Sequence, residues 1–248
     1  MGDVVVPEAL QLAWGRRERP TRGPKRGLTL DGIVSAGVSV ATTEGLAAVS
    51  MQRVATELGT APMSLYRYVD SKEQLLRLMV DAAYGDPPAT EPGAAWRDAM
   101  AGWAWAMRGV LAANAWVVRV PIFGAPTLPH EVAWMEGGLA ALTGTRLREG
   151  EKMSSILLVS TFVRSEVTLS VDVGQAFAAA GQSDHEAMMS YGRLLAELAE
   201  PRRFPAIRAV IDDGVFAVED DPDDEFRFGL ARLLDGIDVL VRERRRHR

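Results

Sequence analysis

Residues 50–72 read S-M-Q-R-V-A-T-E-L-G-T-A-P-M-S-L-Y-R-Y-V-D-S-K, and this stretch decides the fold of the chain. Ser50 can cap a first short helix, because its hydroxyl can accept a backbone N–H of the opening turn. Apolar residues from Val54 to Leu58 recur at helical spacing, and Gly59 permits the left-handed conformation of a helix end. The first part of the stretch therefore predicts a short helix followed by a tight turn.

The second part predicts another short helix. Thr60 can cap it, and Pro62 suits its first turn, where the N–H groups have no partner within the helix. Leu65 and Val69 lie on the face that packs against the first helix. The outward-facing side chains are Pro62, Met63, Tyr66 and Arg67. A short helix that presents an aromatic ring and a guanidinium in this way is typical of a helix-turn-helix reader of DNA.

Further helices are predicted on both sides of this pair. Thr29 caps a helix that ends at Glu44 and Gly45. The sequence Ser71-x-x-Gln74 is a capping box that opens the next helix. The Pro-rich residues 85–93 then end this region. We expect three parts: a disordered basic arm over residues 1–26, a helix-turn-helix domain with its connecting helix over 27–84, and a helical ligand-binding and dimerisation domain over 85–248.

Residues 25–84 resemble the DNA-binding domain of the tetracycline-repressor (TetR) family of bacterial regulators. The resemblance lies in L-T-L-D-G-I-V-S-A-G-V-S-V-A-T-T-E-G-L-A-A-V-S-M-Q-R-V-A-T-E-L-G at residues 28–59 and in M-S-L-Y-R-Y-V-D-S-K-E-Q-L-L at residues 63–76. The family often has a His where this chain has Tyr68. Residues 226–238, F-R-F-G-L-A-R-L-L-D-G-I-D, are similar to the last helix of the tetracycline-type subgroup.

The resemblance implies two sets of DNA contacts. Positions expected mainly on phosphates are Ser50, Gln52, Tyr66, Tyr68 and Lys72. Lys72 lies in the first turn of a helix, where its ammonium and the helix N-terminus can meet one phosphate. Positions expected at base edges are Thr60, Pro62, Met63 and Arg67. Met63 and Pro62 suit thymine methyl groups, whereas Arg67 can alternatively contact a phosphate or another part of the protein.

The charge distribution agrees with a nucleic-acid partner, although the formal net charge of the chain is -5. Residues 16–26 contain six Arg or Lys and one Glu, whereas residues 85–248 contain 18 basic and 24 acidic side chains. The positive field is therefore local. The basic arm either reaches phosphates or an adjacent minor groove, or contributes only through counterion release.

Composition and motifs exclude several other classes of protein. The chain has no cysteine, no basic n-region at its start and no apolar run long enough to span a membrane, so we expect a cytoplasmic protein. His130-Glu131 and His185-Glu186 begin like zinc-protease helices, but Trp134 and Met189 stand where the second His is needed. We expect neither a catalytic site nor a metal or other cofactor.

The rest of the chain is predicted to be entirely helical. Alternating strand patterns and Asn-Gly hairpins are missing from the sequence. The predicted helices cover residues 94–113, 115–120, 128–143, 149–179, 184–200, 203–213 and 223–243. The predicted fold class is therefore all-α, with an N-terminal three-helix reader followed by a larger helical domain.

Aromatic and Met residues are frequent in the first half of this helical domain. In a helical bundle they can line an apolar cavity for a small molecule, although ordinary core packing is the alternative for each one. The side chains predicted to line the cavity are Trp103, Met107, Trp116, Trp134 and Phe162, with His130 and Arg164 as polar anchors.

Two helices have apolar side chains over a wider arc than one wet face allows, namely residues 153–177 and 226–241. Such helices must be covered on two sides, so we expect a homodimer, and the resemblance implies a four-helix bundle made from these two helices of each subunit. The predicted interface residues are Ile156, Val163, Val167, Phe226, Leu230, Leu233 and Ile237.

These features predict a homodimeric repressor of a near-palindromic operator that an apolar or amphipathic small molecule releases from DNA. One alternative is a ligand-independent or partner-dependent DNA-binding regulator whose C-terminal domain is only a dimer core. An enzyme with an appended DNA module is the other.

Overall fold

A computed structural model describes residues 6–16, 28–218 and 221–246. In this part of the chain eleven α-helices are found and no strand, which confirms the all-α prediction. The helices are α1 (Glu8–Ala13), α2 (Leu30–Glu44), α3 (Met51–Glu57), α4 (Pro62–Leu65), α5 (Lys72–Tyr84), α6 (Trp96–Ala113), α7 (Pro129–Ala141), α8 (Glu149–Ala179), α9 (Asp184–Leu198), α10 (Pro205–Asp212) and α11 (Asp224–Arg246). Short 3₁₀ turns lie at Leu46–Ala48, Ala115–Arg119 and Val215–Ala217.

The predicted N-terminal caps of three helices are confirmed. Thr29 Oγ1 accepts a hydrogen bond from the backbone N–H of Gly32 at 3.0 Å, at the start of α2. Ser50 Oγ and Ser71 Oγ accept equivalent bonds at 3.1 Å at the starts of α3 and α5. These side chains satisfy backbone donors that the first turn of a helix leaves without a partner.

Two details of capping differ from the prediction. The residue that precedes α4 is Ala61, which makes no side-chain cap, rather than Thr60. Pro62 occupies the first turn of α4 and holds the residue before it in an extended conformation, so Thr60 lies one position too early to cap the helix. The Gln74 side chain accepts a hydrogen bond from the N–H of Asp70 instead of that of Ser71.

The N-terminal segment also differs from the prediction. Residues 1–26 were expected to be a disordered arm, but Glu8–Ala13 form helix α1, preceded by Pro7 in an extended conformation. Of the basic stretch 16–26, only Arg16 belongs to the described residues, and the prediction for residues 17–26 lies outside them.

The helices α2 to α5 pack around a small apolar core. Val54, Leu65 and Leu75 are fully buried within it. A Cβ atom added at Gly37 would lie 2.7 Å from Met79 Sδ, so α2 and α5 approach closely at this glycine. Such close packing fixes α5 against α2 and so against the helix-turn-helix reader formed by α2 to α4. The contact leaves no room for α5 to slide unless Met79 repacks.

The described residues fall into two compact units, one within Met1–Val167 and Leu233–Arg248 and the other within Thr168–Arg232. In the second unit the Tyr191 and Phe216 rings pack edge to face at 5.4 Å, and a Cβ at Gly192 would lie 2.6 Å from Phe216. The division predicted from the sequence, at residues 26 and 84, stays a prediction. No helix in the described parts of the chain is long and apolar enough to cross a membrane.

Candidate functional site

The nine residues predicted to contact DNA lie on α3, on α4, at the start of α5 or in the turns between them. Met63 is the most exposed of the large apolar side chains here, with 74% of its surface accessible, and Tyr66 is 43% accessible. Gln52, Arg67 and Lys72 are exposed as well. The half-buried members are Ser50, Thr60, Pro62 and Tyr68. A large exposed apolar side chain beside an aromatic ring and two cations is suited to DNA contact.

One further arginine in this region is committed to the fold instead. Arg53 on α3 donates through Nε to Glu44 Oε1 at 3.0 Å, and its Nη2 lies 2.9 Å from Glu57 Oε2. The hydrogen bond from Arg53 holds the pKa of Glu44 below its usual value. The contact with Glu44 ties α3 to the end of α2, whereas the contact with Glu57 lies within α3.

A cavity of about 500 Å³ lies in the same compact unit, between α5, α6, α7, α8 and residues 117–126. Its walls are mostly apolar and rich in aromatic rings, as is usual for small-molecule sites. The aromatic lining residues are Tyr84, Trp103, Phe123 and Trp134. The lining residues with a charge are Arg77, Glu131 and Arg164.

Four of the seven predicted ligand-binding residues line this cavity, namely Trp103, Met107, Trp134 and Arg164. Trp116 and Phe162 do not. Trp116 is buried in the turn Ala115–Arg119, where its neighbour Val117 faces the cavity. Phe162 lies outside the stripe of α8 residues, spaced three or four apart, that forms the cavity wall.

His130 also lies outside the lining, because its side chain bridges two helices. His130 Nδ1 on α7 is 2.9 Å from Asp81 Oδ2 on α5, and Asp81 Oδ1 accepts the backbone N–H of Glu131 at 2.9 Å. Asp81 is buried, and burial raises the pKa of its carboxyl, while the hydrogen bonds from Glu131 and His130 oppose the rise. The predicted polar anchor is therefore part of a staple between α5 and α7.

Most polar groups of the cavity are already engaged with the protein. Arg164 Nη2 donates to the carbonyl oxygen of Val120 at 2.9 Å, which fixes the segment that follows the turn Ala115–Arg119. Burial raises the pKa of the Tyr84 phenol, and the charge of Arg164 and a hydrogen bond to it oppose the rise. Glu131 Oε2 accepts the backbone N–H groups of Thr127 and Leu128 at 2.8 and 3.0 Å. Two backbone donors thus stabilise the Glu131 carboxylate. Two guanidinium groups against one carboxylate leave the cavity lining with an excess of positive charge.

Two tryptophans fasten the cavity wall to the end of α5. Trp103 Nε1 donates to the carbonyl oxygen of Trp134 at 2.9 Å, and Trp134 Nε1 donates to that of Gly85 at 3.0 Å. The Tyr84 and Trp134 rings also meet edge to face at 5.9 Å. These rings therefore line the cavity and at the same time hold its helices together.

Helix α5 belongs to both the reader and the cavity. Arg77, Val80 and Tyr84 line the cavity, whereas Met79 packs against Gly37 of α2. Arg77 and Tyr84 are not among the predicted cavity residues, because the whole of α5 was expected to belong to the DNA-binding domain. Arg77 interrupts and Tyr84 ends the mostly apolar second half of α5, and this pattern could have indicated that they face a binding site.

The predicted dimer-interface residues require a correction. Six of the seven are buried within the single chain, where a partner subunit cannot reach their side chains: Ile156, Val163, Val167, Phe226, Leu230 and Ile237. Only Leu233 is partly accessible. The large apolar side chains exposed on the same two helices are Met153, Leu157, Leu158, Leu169, Val173, Phe228 and Val239. Helices α8 and α11 do have apolar side chains over a wide arc, but the residues predicted to contact a partner subunit lie on the side that faces the chain's own interior.

Comparison with known proteins agrees with this architecture. A family profile described as the bacterial regulatory proteins of the tetR family matches residues 33–79, and one described as the tetracyclin repressor-like C-terminal domain matches residues 87–241. The HTH-type transcriptional repressor DrrR1 of Streptomyces coeruleorubidus is 35% identical over 247 residues, which cover 97% of this chain and 88% of the relative.

Solved structures of the TetR family protein ActR from Streptomyces coelicolor are also similar. Its complex with (S)-DNPA has a TM-score of 0.68 at 26% identity, covering 86% of this chain and 98% of ActR. Its complex with actinorhodin has a TM-score of 0.70 at 25% identity, covering 87% and 96%. The matching segments coincide with the reader and with the helical region that holds the cavity. The chain therefore belongs to the TetR family and is a DNA-binding transcriptional regulator, not an enzyme.

Proposed function

We propose that this regulator is a homodimeric repressor of a near-palindromic operator and that an aromatic, amphipathic small molecule releases it from DNA. The observation that carries the proposal is the double role of α5, which packs on the reader and lines the cavity. The relative DrrR1 is named a transcriptional repressor, and ActR has been crystallised with two small molecules. Acting on operator DNA in a bacterium, the protein works in the cytoplasm.

The proposed contacts with DNA use the exposed side chains of α3, α4 and the start of α5. Arg67 and Met63 read base edges, together with Thr60 and Pro62, whereas Tyr66 and Lys72 hold phosphates, together with Ser50, Gln52 and Tyr68. A single reader makes few base contacts. Two copies related by a two-fold axis read half-sites about 34–36 Å apart, which supplies the affinity that one reader lacks.

The chemistry of the cavity indicates the kind of effector. Aromatic walls from Trp103, Trp134 and Phe123 favour a flat, apolar ring system. Arg77 and Arg164 add positive charge, and the carboxylate of Glu131 is already held by two backbone donors. A flat aromatic molecule that bears a phenolic or carboxylate oxygen therefore fits the cavity better than a cation does.

Release from DNA follows from the position of α5. A ligand that contacts Arg77 and Tyr84 stabilises one placement of α5, and α5 cannot move without shifting α2, on which it packs. The staple from Asp81 to His130 and Glu131 makes α7 move together with α5. The ligand thus selects a spacing of the two readers in the dimer that no longer matches the operator.

The homodimer is supported by the apolar side chains that α8 and α11 leave exposed. Leu169 is 65% accessible, Phe228 64% and Val239 58%. Helices with apolar side chains on both the buried and the exposed side need a partner surface, and the commonest partner is a second copy related by a two-fold axis.

Selection of bound duplexes from a random pool tests the proposal, at about 0.15 M salt so that counterion release alone does not dominate. We expect the purified protein to recover an inverted repeat and Tyr66→Ala to lose it. The matched control is Tyr191→Ala, since Tyr191 is 47% accessible and lies outside the reader. Recovery of no repeat, or equal loss with both variants, would contradict the proposal.

Addition of actinorhodin to the protein–operator complex tests the effector part, since ActR binds that molecule. We expect it to release the wild-type protein and to release Trp103→Ala less readily. The control is Trp96→Ala, because Trp96 lies on the same helix but does not line the cavity. Unchanged DNA binding at saturating actinorhodin in every variant would limit the proposal to the DNA-reading half.

A further inference from the structure

The N-terminal helix α1 is followed by a tryptophan that bonds to the cavity wall. Trp14 Nε1 donates to the carbonyl oxygen of Thr127 at 2.9 Å, a contact between residues 113 positions apart in the chain. Arg16 makes two contacts at the end of α1. Its backbone N–H donates to the carbonyl oxygen of Gln11 at 2.8 Å, and its guanidinium lies 6.0 Å from the centre of the Trp14 ring. This short helix therefore presents one defined side chain to the rest of the protein.

The acceptor, Thr127, is held from three directions. Arg77 of α5 donates to its Oγ1 at 3.0 Å, and its own backbone N–H donates to Glu131 of α7 at 2.8 Å. Trp14 supplies the third bond, to the carbonyl oxygen. Arg77 and Glu131 both line the cavity, so two of the three bonds come from residues that an effector can reach.

The segment that ends at Thr127 is not held by regular secondary structure. Residues 121–127 form no helix or strand, yet Pro121, Ile122, Phe123, Gly124 and Pro126 make one wall of the cavity. Ile122 is 78% accessible, so this wall lacks support from a covering layer of side chains. Hydrogen bonds hold this wall at both ends: Arg164 bonds to Val120 at one end, and the Thr127 contacts lie at the other.

We infer that α1 is a strap that holds the wall of residues 121–127 at its Thr127 end and that Trp14 is the positioning residue for this wall. The role of this wall in effector binding rests on the proposed function, but the contact itself does not. An effector that draws Arg77 away from Thr127 leaves the bonds from Trp14 and to Glu131 to hold this end of the wall. Sequence changes in α1 therefore alter the response to effector.

Hydrogen exchange of the intact chain tests the inference without any ligand. Trp14→Phe keeps an aromatic ring and removes the N–H donor. The N–H groups of Thr127 and Leu128 donate to Glu131, so they are the protected amides at this end of the wall. Since one hydrogen bond contributes about five-fold to an equilibrium constant, we expect about five-fold faster exchange of these two amides. The matched control is Trp96→Phe, which should leave these amides unchanged. The amides of α2 report on global stability and should exchange equally in all three proteins.

Equal exchange of the Thr127 and Leu128 amides in wild type and Trp14→Phe would overturn the inference, whatever the protein binds. A rise that also appears in α2 would overturn it as well, because it would reflect general destabilisation. A titration of tryptophan fluorescence with actinorhodin adds the functional measure: we expect about five-fold weaker binding by Trp14→Phe and the same operator affinity as wild type. Loss of the operator repeat in the selection experiment would reject the proposed function and leave the exchange result standing.

Discussion

The reader and the cavity use side chains in opposite ways. In the reader, Leu65 and Val54 form a buried base, and the side chains available to DNA, such as Met63 and Tyr66, point outward and support nothing. In the cavity, Trp103 and Trp134 line the binding space and also hold the helices together through hydrogen bonds. Function and stability are therefore carried largely by separate residues in the reader, apart from Ser50, which also caps α3, and by the same residues in the cavity.

This difference predicts that cavity substitutions cost more stability than reader substitutions. Trp134→Ala removes a ring that is only 3% accessible and breaks the hydrogen bond to Gly85. We expect the free energy of unfolding to fall by about 3–5 kcal/mol, the usual range for a buried Trp replaced by Ala. Urea denaturation followed by circular dichroism measures it. A loss below about 1 kcal/mol would mean that the cavity wall is not part of the core.

The staple between α5 and α7 gives the next largest effect. Asp81→Ala leaves the N–H of Glu131 and the ring of His130 without their acceptor, so we expect a loss of about 1–3 kcal/mol in the free energy of unfolding. The control is Asp86→Ala, because Asp86 is exposed and lies 3.9 Å from His130 Nε2. The same denaturation experiment serves both variants. Equal free energies of unfolding for Asp81→Ala and Asp86→Ala would mean that Asp81 does not hold α7 to α5.

Tyr66→Ala should show the reverse pattern in the reader. Tyr66 is 43% accessible and belongs to no buried cluster, so we expect a change within about 0.5 kcal/mol in the free energy of unfolding. Operator affinity, measured by fluorescence anisotropy, should fall by about 10-fold because a contact to DNA is lost. A large loss of stability with this variant would break the distinction between the two regions.

The same distinction explains which parts of the structure could be predicted from the sequence. Local rules identify the reader: the caps Thr29, Ser50 and Ser71 and the turn at Gly59 act within one or two turns of the chain. The long helix predicted over residues 149–179 is also found with those bounds. These features depend on neighbouring residues, so the order of residues is sufficient to predict them.

Features that depend on distant contacts could not be predicted in the same way. Helix α1 is short, and the contact that anchors its end joins Trp14 to Thr127, which no local pattern reveals. His130 was expected in the cavity, but its partner Asp81 lies 49 positions away. For α8 the apolar arc was recognised correctly, but periodicity does not tell which side of a helix faces the chain's own interior. Ile156 was assigned to the partner for that reason.

The smallest expected effect is on stability in acid. It compares the reader with the helices α8 and α11, because each has a carboxylate paired with an arginine: Glu44 with Arg53 in the reader, and Glu151 with Arg244 between α8 and α11. Hydrogen bonds from the Arg244 side chain and from the backbone N–H of Arg148 lower the pKa of Glu151 from 4.5 to about 2. The hydrogen bond from Arg53 also lowers the pKa of Glu44. A carboxyl with a lowered pKa in the folded state stabilises the protein above its unfolded pKa, and this contribution disappears as the pH falls through the folded pKa.

We therefore expect the wild-type protein to lose stability between about pH 4.5 and pH 2, and Glu151→Gln to lose less over the same window, because the glutamine does not titrate. Glu44→Gln should likewise reduce the loss of stability as the pH falls, because it removes the titrating carboxyl of the reader. Both pairs are partly accessible to solvent, so both effects stay small. Thermal unfolding at a series of pH values measures them, with Glu149→Gln as the control for an exposed carboxyl on α8. Parallel curves for wild type and Glu151→Gln would show that the Arg244 contact does not persist in solution, and the C-terminal end of α11 would then lack its anchor on α8.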